Sequence, residues 1–399
     1  MSLPLRAYRV LDLTNVLSGP FCCHQLAHLG ADVVKVENRK GGDLARQLGA
    51  DPELVKRSMG ISYLAQNAGK RSITIDFKHP QGKALFLKLV ATADALVENF
   101  RPGVMQRLGI GYEDLLQVNP RLVYCAISGF GQDGPLRDRP AYDQIIQGMS
   151  GVMSITGAPD TAPYRVGYPV ADTVGGLTAA FAVAAALADT QRTGGIFLDV
   201  SMLESTMVAM GWAMSNQLIA GKEPQPMGNE NITASPSGTF KTGSGLLNIS
   251  ANKQEQFEAL CNALGLPEIY RDPRFFERHA RLQNRYLLRD ALECGLASRS
   301  ADEWCEILNA VDVPSGPVYS VSQALAQPQI AERGMVGTFR NVAGVDRDLQ
   351  LVRTGIKVNG VAPAVSIPPR TLGADSRQVL EELGLAESEI DALFTAQAI

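Results

Sequence analysis

The feature that most constrains this chain is an alternation in its first half: short β-branched runs separated by segments of helical periodicity. Tyr8–Leu13, Asp32–Val36, Ser72–Asp76, Ala95–Glu98, Leu122–Ser128 and Ile196–Val200 read as strands, several of them apolar on both faces. Between them, Phe21–Leu29, closed by Gly30, and Pro80–Ala91, opened by its proline, read as helices. In the second of these, Leu85 and Leu89, then Phe86 and Val90, recur four residues apart, so one face can lie on a sheet. The alternation predicts a Rossmann-like α/β domain with a mostly parallel, helix-covered sheet. Ligands of such sheets gather beyond the carboxyl ends of the strands.

Further along, Met202–Ala220 reads as one long helix closed by Gly221. The polar, turn-rich stretch 221–237 reads as a linker or an active-site loop. A hairpin over Gly238–Ile249, turning at Gly243–Gly245, then leads into helices at Gln254–Leu264, Arg285–Ser298 and Ala301–Ala310. The predicted division is therefore 1–220 as an α/β portion, 221–237 as linker, 238–320 as a smaller α+β domain, and 321–399 as a returning tail. Two short helices, Arg377–Leu383 and Glu387–Phe394, end that tail.

Composition narrows the function. The 399 residues exceed one simple core and fit two or three domains. Hydrophobic residues at 45% and charged residues at 20% exclude wholesale disorder and coiled coil. A net charge of -4 argues against a phosphate-backbone surface, so no nucleic acid is expected. The apolar run Leu177–Leu187 reads as too short to cross a bilayer, and the N-terminal stretch lacks a signal-peptide pattern. Six cysteines are scattered without CxxC spacing, which predicts reduced thiols and a cytoplasmic location.

Four motifs carry candidate chemistry. Gly129-Phe-Gly131-Gln-Asp-Gly134 matches a dinucleotide fingerprint, but Pro135 breaks the helix that the fingerprint requires, leaving a glycine loop. His24 and His28 stand four apart without a third ligand, so no metal site is expected. Lys70, Arg71 and Lys78 surround one strand, while Arg101 and Arg107 flank a strand-to-helix junction; they read either as a solvated rim or as a polyanion site. Asp172 precedes a helical run and reads as an N-cap, or as a carboxylate made nucleophilic by its apolar neighbours and kept ionised by the helix N-terminus.

Taken together, these stretches resemble the class III CoA-transferase family. The similarity runs through VLDLTNVLSGPF (Val10–Phe21), LGADVVKVE (Leu29–Glu37), Gly42, Asp43 and Arg46, NAGKRSITIDFK (Asn67–Lys78) and VENFRPGVMQRLGIGYEDL (Val97–Leu115). It continues through SGFGQDGP (Ser128–Pro135), the Asp172 segment and PPRTLGADS (Pro368–Ser376). The resemblance implies an acyl-CoA:carboxylate CoA-transferase in which Asp172 is the nucleophile, passing through an aspartyl anhydride and an aspartyl-CoA thioester. Coenzyme A would be a substrate, with no permanently bound cofactor. Val16, Leu17, Ser18, Ile75, Lys78, Asn99, Phe100, Arg101 and Arg107 match coenzyme-binding positions. The resemblance also implies a large domain built from both chain ends and an interlocked homodimer.

Three departures from the family pattern matter. Leu17 and Leu48 stand where oxalate-using members carry Gln and Trp, which favours a longer dicarboxylate of the succinate, glutarate or itaconate type. Asn38 replaces an adenine-side arginine, so Arg39 is expected to substitute; Pro140 replaces a lysine, so Arg139 is. Arg46 and Tyr142 are the candidate substrate contacts, Arg46 pairing with the distal carboxylate. Two alternatives are a racemase on the same scaffold and a coenzyme-binding protein without catalysis. The racemase needs a histidine where Tyr142 stands, and none lies between His79 and His279.

Overall fold

A computed structural model describes residues 3–399. They form two compact units, one from 3–152, 165–222 and 329–399, the other from 153–164 and 223–328. Residues 153–164, expected with the first portion, and 321–328, expected with the tail, thus belong to the second unit.

The first unit is built on a six-stranded sheet: β1 (Arg9–Asp12), β2 (Asp32–Glu37), β3 (Lys70–Thr74), β4 (Ala95–Glu98), β5 (Val123–Ser128) and β6 (Ile196–Ser201). Every pairing is parallel, in the order β3-β2-β1-β4-β5-β6. β2 to β5 are buried almost throughout, as a sheet covered on both faces requires, whereas β6 alternates at the edge. Alternate residues feed two cores. Leu11, Val34, Leu96 and Tyr124 point to one, shared with Leu85, Phe86, Leu89 and Val90 and with the tail residues Val379, Leu380, Ile390 and Leu393. Val10, Val33, Val97 and Cys125 point to the other, with Cys22, Leu26, Ala179 and Val183. The strand order reverses between β1 and β4, which splays the following segments apart and leaves a crevice at their carboxyl ends.

Two helices cross at that crevice, Ser18–His28 after β1 and Val170–Ala188 before β6. Small residues let them approach. A Cβ on Gly176 would lie 2.4 Å from the Ser18 carbonyl oxygen, so only glycine fits. The second helix spans 19 residues and is long and apolar enough to cross a membrane, correcting the shorter run expected from sequence. Its Ala171, Gly175, Gly176, Ala179 and Val183 face is packed in the core. The single helix expected over Met202–Ala220 is two, Met202–Ala209 and Trp212–Ala220, broken where Gly211 takes φ +40°. His24 and His28 are buried, edge-to-face at 4.4 Å, with Nδ1 atoms against the Ala68 and His24 carbonyls, a packing role.

The second unit holds a three-stranded antiparallel sheet, β7 (Ser237–Lys241), β8 (Leu246–Ser250) and β9 (Ser315–Pro317). Helices Gln254–Ala263, Arg285–Leu296 and Ala301–Asn309 share its core through Phe257, Leu292 and Trp304, with Phe240 and Leu247 from the strands. A further antiparallel pair, β10 (Val336–Phe339) and β11 (Leu349–Val352), belongs to the first unit and was not anticipated.

The Gly176 contact yields a direct test. Gly176→Ala must push the two helices apart at backbone atoms, so stability should fall by about 1–3 kcal/mol in denaturant unfolding. An unchanged midpoint would show that the crossing is looser than described.

Candidate active site

A cavity of about 560 Å³ opens at the β1/β4 switch point. Its walls are Asn15–Ser18 after β1, Lys40–Gly42 after β2, Asn99–Pro102 after β4, and Ser128 and Gly129 at the end of β5. Asp172 joins them from the Val170–Ala188 helix.

The turn after β1 is held by side chains. Asn99 accepts from the Asn15 N–H and donates to the Asn15 carbonyl, both at 2.8 Å. The same amide donates to the Ser18 hydroxyl at 3.4 Å. Between these points Val16 sits at φ +65°, a left-handed conformation that a β-branched residue keeps only under constraint. Its N–H donates to Asp43 Oδ1 at 2.9 Å. Ser18 and Asp172 line the same cavity, and the Ser18 hydroxyl favours the ionised form of that carboxyl.

Asp172 is the third residue of its helix, not the cap: Pro169 holds that position and makes no side-chain cap. The Asp143 carboxylate does the capping instead. Its Oδ1 accepts the Ala171 N–H at 2.9 Å and the Asp172 N–H at 3.4 Å, while Gln147 donates to Oδ2 at 2.7 Å. Burial, reinforced by the Asp143 charge, pushes Asp172 up to about 7 against the pull of the Ser18 hydrogen bond. The expectation that the helix N-terminus holds this group ionised is thereby corrected, because Asp143 already occupies the helix amides.

Of the residues anticipated from sequence, Val16, Leu17, Ser18, Asn99, Phe100, Arg101, Arg139, Tyr142 and Asp172 line this cavity. Five others do not. Ile75 is packed in the core, which leaves only its backbone to meet a ligand. Lys78 is exposed beyond β3, and the Arg107 guanidinium lies over Gly103. Arg39 donates to Gln397 at 3.3 Å, with its Nε buried and unpartnered. Arg46 cannot pair with a substrate carboxylate. It is fully buried, its Nε and Nη2 each donate to Glu37 at 2.7 Å, its Nη1 to the Ser58 and Arg370 carbonyls, and its guanidinium stacks on Tyr63 at 3.7 Å. Leu48 is partly exposed and outside the lining.

Sequence reasoning missed Lys40, Gln47, Arg137 and Met202 in the lining, and the supporting carboxylates Asp43 and Asp143. Asp43 belonged to the matched motif without a role and Asp143 stood beside Tyr142, and only the fold shows which backbone groups they reach. The glycine loop belongs here too: a Cβ on Gly129 would lie 2.3 Å from that of Ala141.

With this geometry in view, the comparisons are decisive. The sequence profile of CoA-transferase family III matches residues 5–376. This chain belongs to that family. It is a class III CoA-transferase by that membership and by its curated relatives. An acetyl-CoA:oxalate CoA-transferase of Acetobacter aceti is 41% identical over 84% of this chain and 85% of its own. A succinate–glutarate CoA-transferase of Agrobacterium fabrum is 37% identical over 96% of each. Among solved structures, a CAIB/BAIF family protein from Brucella suis superposes with a TM-score of 0.83 at 34% identity, covering 96% of this chain and 100% of that one.

Two outcomes follow for the transferase. Because the folded protein keeps the Asp172 proton that the unfolded chain releases above about pH 4, stability declines as pH rises from about 4 to 7. Asp172→Asn should therefore be more stable than wild type at pH 8, by on the order of 1–2 kcal/mol after discounting for partial exposure, and no more stable at pH 4. Parallel pH–stability curves would contradict the raised ionisation. Arg46→Met leaves Glu37 buried and unpaired, so it should destabilise by about 3–5 kcal/mol rather than alter substrate affinity selectively.

Proposed function

We propose that this transferase moves CoA from an acyl-CoA donor, succinyl-CoA, to a free dicarboxylate longer than oxalate, of the glutarate, itaconate or mesaconate type. One observation carries the mechanism: the Asp172 carboxyl stands half-dry in the cavity at the sheet's switch point, within reach of a thioester lying over the Val16–Ser18 turn. The ionised carboxylate attacks the donor carbonyl; a C–O bond forms, the C–S bond breaks, and CoA leaves as thiolate. The thiolate attacks the Asp172 carbonyl of the mixed anhydride, releasing succinate and leaving an aspartyl-CoA thioester. The acceptor carboxylate displaces the thiolate, forming a second anhydride, and the thiolate takes the acceptor acyl group, restoring Asp172. Each intermediate stays activated, so little thioester energy is lost while water is excluded.

Coenzyme A enters as substrate, with no permanently bound cofactor. Arg101 and Arg139 line the cavity as cations for its phosphates, and Phe100 can stack on adenine. Lys78 and Arg107 extend this rim, with Arg39 the remaining adenine-side cation. Tyr142 is an acceptor-side contact in the lining. The relatives named for glutarate and for oxalate are similarly close, so identity alone does not choose an acid. Leu17 supports the longer one, presenting an apolar side chain to the cavity. A homodimer fits the exposed apolar residues Phe181, Val208, Trp212, Leu218 and Ile219, which a lone chain would leave in water. Six unpaired cysteines support a cytoplasmic setting.

Asp172→Asn should lower transfer between succinyl-CoA and glutarate by about 10⁴-fold or more, since the nucleophile is removed. The wild-type rate should rise with pH along a limb centred near 7, following ionisation of Asp172. Hydroxylamine should trap the wild-type acyl–enzyme and leave the variant unmodified. Full turnover by the variant would reject the mechanism.

A further inference from the structure

Beneath the cavity runs a chain of buried charges, Lys70, Asp12, Lys35 and Asp43, whose side chains are at most 1% exposed. Lys70 meets Asp12 at 2.7 Å; Lys35 lies 3.8 Å from Asp12 and 3.0 Å from Asp43. Burial alone would drive Asp12 up, but the two ammoniums outweigh it and hold the carboxyl low. Three of the network's further hydrogen bonds go to one stretch of main chain. Asp12 accepts from the Thr14 N–H, Lys35 donates to the Thr14 carbonyl, and Lys70 to the Pro20 carbonyl.

We propose that Asp43 is a positioning residue for the transfer reaction: its carboxylate ties two walls of the cavity together and holds the Val16–Ser18 turn against Asp172, while Lys35 fixes that carboxylate from behind. This rests on Asp172 as the nucleophile. Asp43 Oδ1 accepts the Val16 N–H and the Ala45 N–H, each at 2.9 Å. Ala45 lies in the Leu44–Gln47 helical turn, whose Leu44 and Gln47 line the cavity. One oxygen therefore fixes the wall after β1 and the wall after β2 together. Asp43's own N–H donates to Glu37 at 3.0 Å, so its backbone is anchored as well.

The second line of argument is strain. Val16 holds φ +65° against the preference of a β-branched side chain, and its N–H bond to Asp43 is the restraint visible at that residue. Two residues later Ser18 lines the cavity together with Asp172. Stability does not by itself call for charges here, because apolar side chains of similar volume generally replace a buried ion pair without loss. Orientation does: an ammonium on Oδ2 leaves Oδ1 aimed at the two amides.

The test compares two double variants in the full-length enzyme, Lys35→Met with Asp43→Asn and Lys35→Met with Asp43→Ala. Both remove the ion pair without stranding a charge, and they differ in whether an oxygen remains for the Val16 amide. The Ala double should lose about 30- to 100-fold in kcat relative to the Asn double, with KM for succinyl-CoA within about threefold, the signature of lost positioning. Equal kcat in the two doubles, or a loss confined to KM, overturns the proposal. Amide exchange in the wild-type enzyme reads the restraint independently of any variant. The Val16 N–H should exchange as slowly as its neighbours in β1, and exchange at the rate of an open loop also overturns it. Asp172→Asn run in parallel separates the two ideas: if it keeps turnover, the nucleophile assignment fails, whereas inactivity alongside equal doubles removes only the role of Asp43.

Discussion

Four charges without water organise this molecule. Lys70, Asp12, Lys35 and Asp43 alternate in sign across the buried ends of β1, β2 and β3 and the segment after β2. Each would be costly to bury alone; together they compensate one another, and several of their further hydrogen bonds go to main chain. Thr14, Val16 and Pro20 are the groups they hold, so the first strand-to-helix turn is suspended from side chains that belong to three other segments. Val16 takes a left-handed conformation there, with its N–H donated to Asp43.

From that turn the geometry propagates to the chemistry. Ser18 begins the helix that Gly176 allows to lie close, and the same crossing helix carries Asp172 one turn earlier. Two influences then meet on one carboxyl. Desolvation and the neighbouring Asp143 favour its protonated form, while Ser18 stabilises the anion. A carboxyl balanced near neutrality is reactive when ionised, because little water must be stripped from it. Asp143 contributes twice, since it also takes the amides that would otherwise stabilise Asp172 as an anion.

Much of this was legible in the sequence. Most strands of the sheet announced themselves because strands covered on both faces read as short apolar runs, and Ala95–Glu98 and Pro80–Ala91 fall where their patterns placed them. The break at Gly211 was hidden because flanking apolar residues continued the helical period. The sequence pointed to Asp172, yet not to its helix position or its protonation, since both depend on Asp143 arriving from 29 residues away. Arg46 was misread for a physical reason: an arginine near a site looks like a ligand until its partner is known. Glu37, on β2, accepts from its Nε and Nη2 with both carboxylate oxygens.

The account stands on covalent passage through one side chain. Intact-protein mass spectrometry of enzyme quenched within milliseconds of mixing with succinyl-CoA, followed by peptide mapping, measures this directly. The account predicts a coenzyme A adduct on the peptide bearing residue 172, discharged when the acceptor acid is added. A protein that turns over while that peptide stays unmodified at every time point would contradict it.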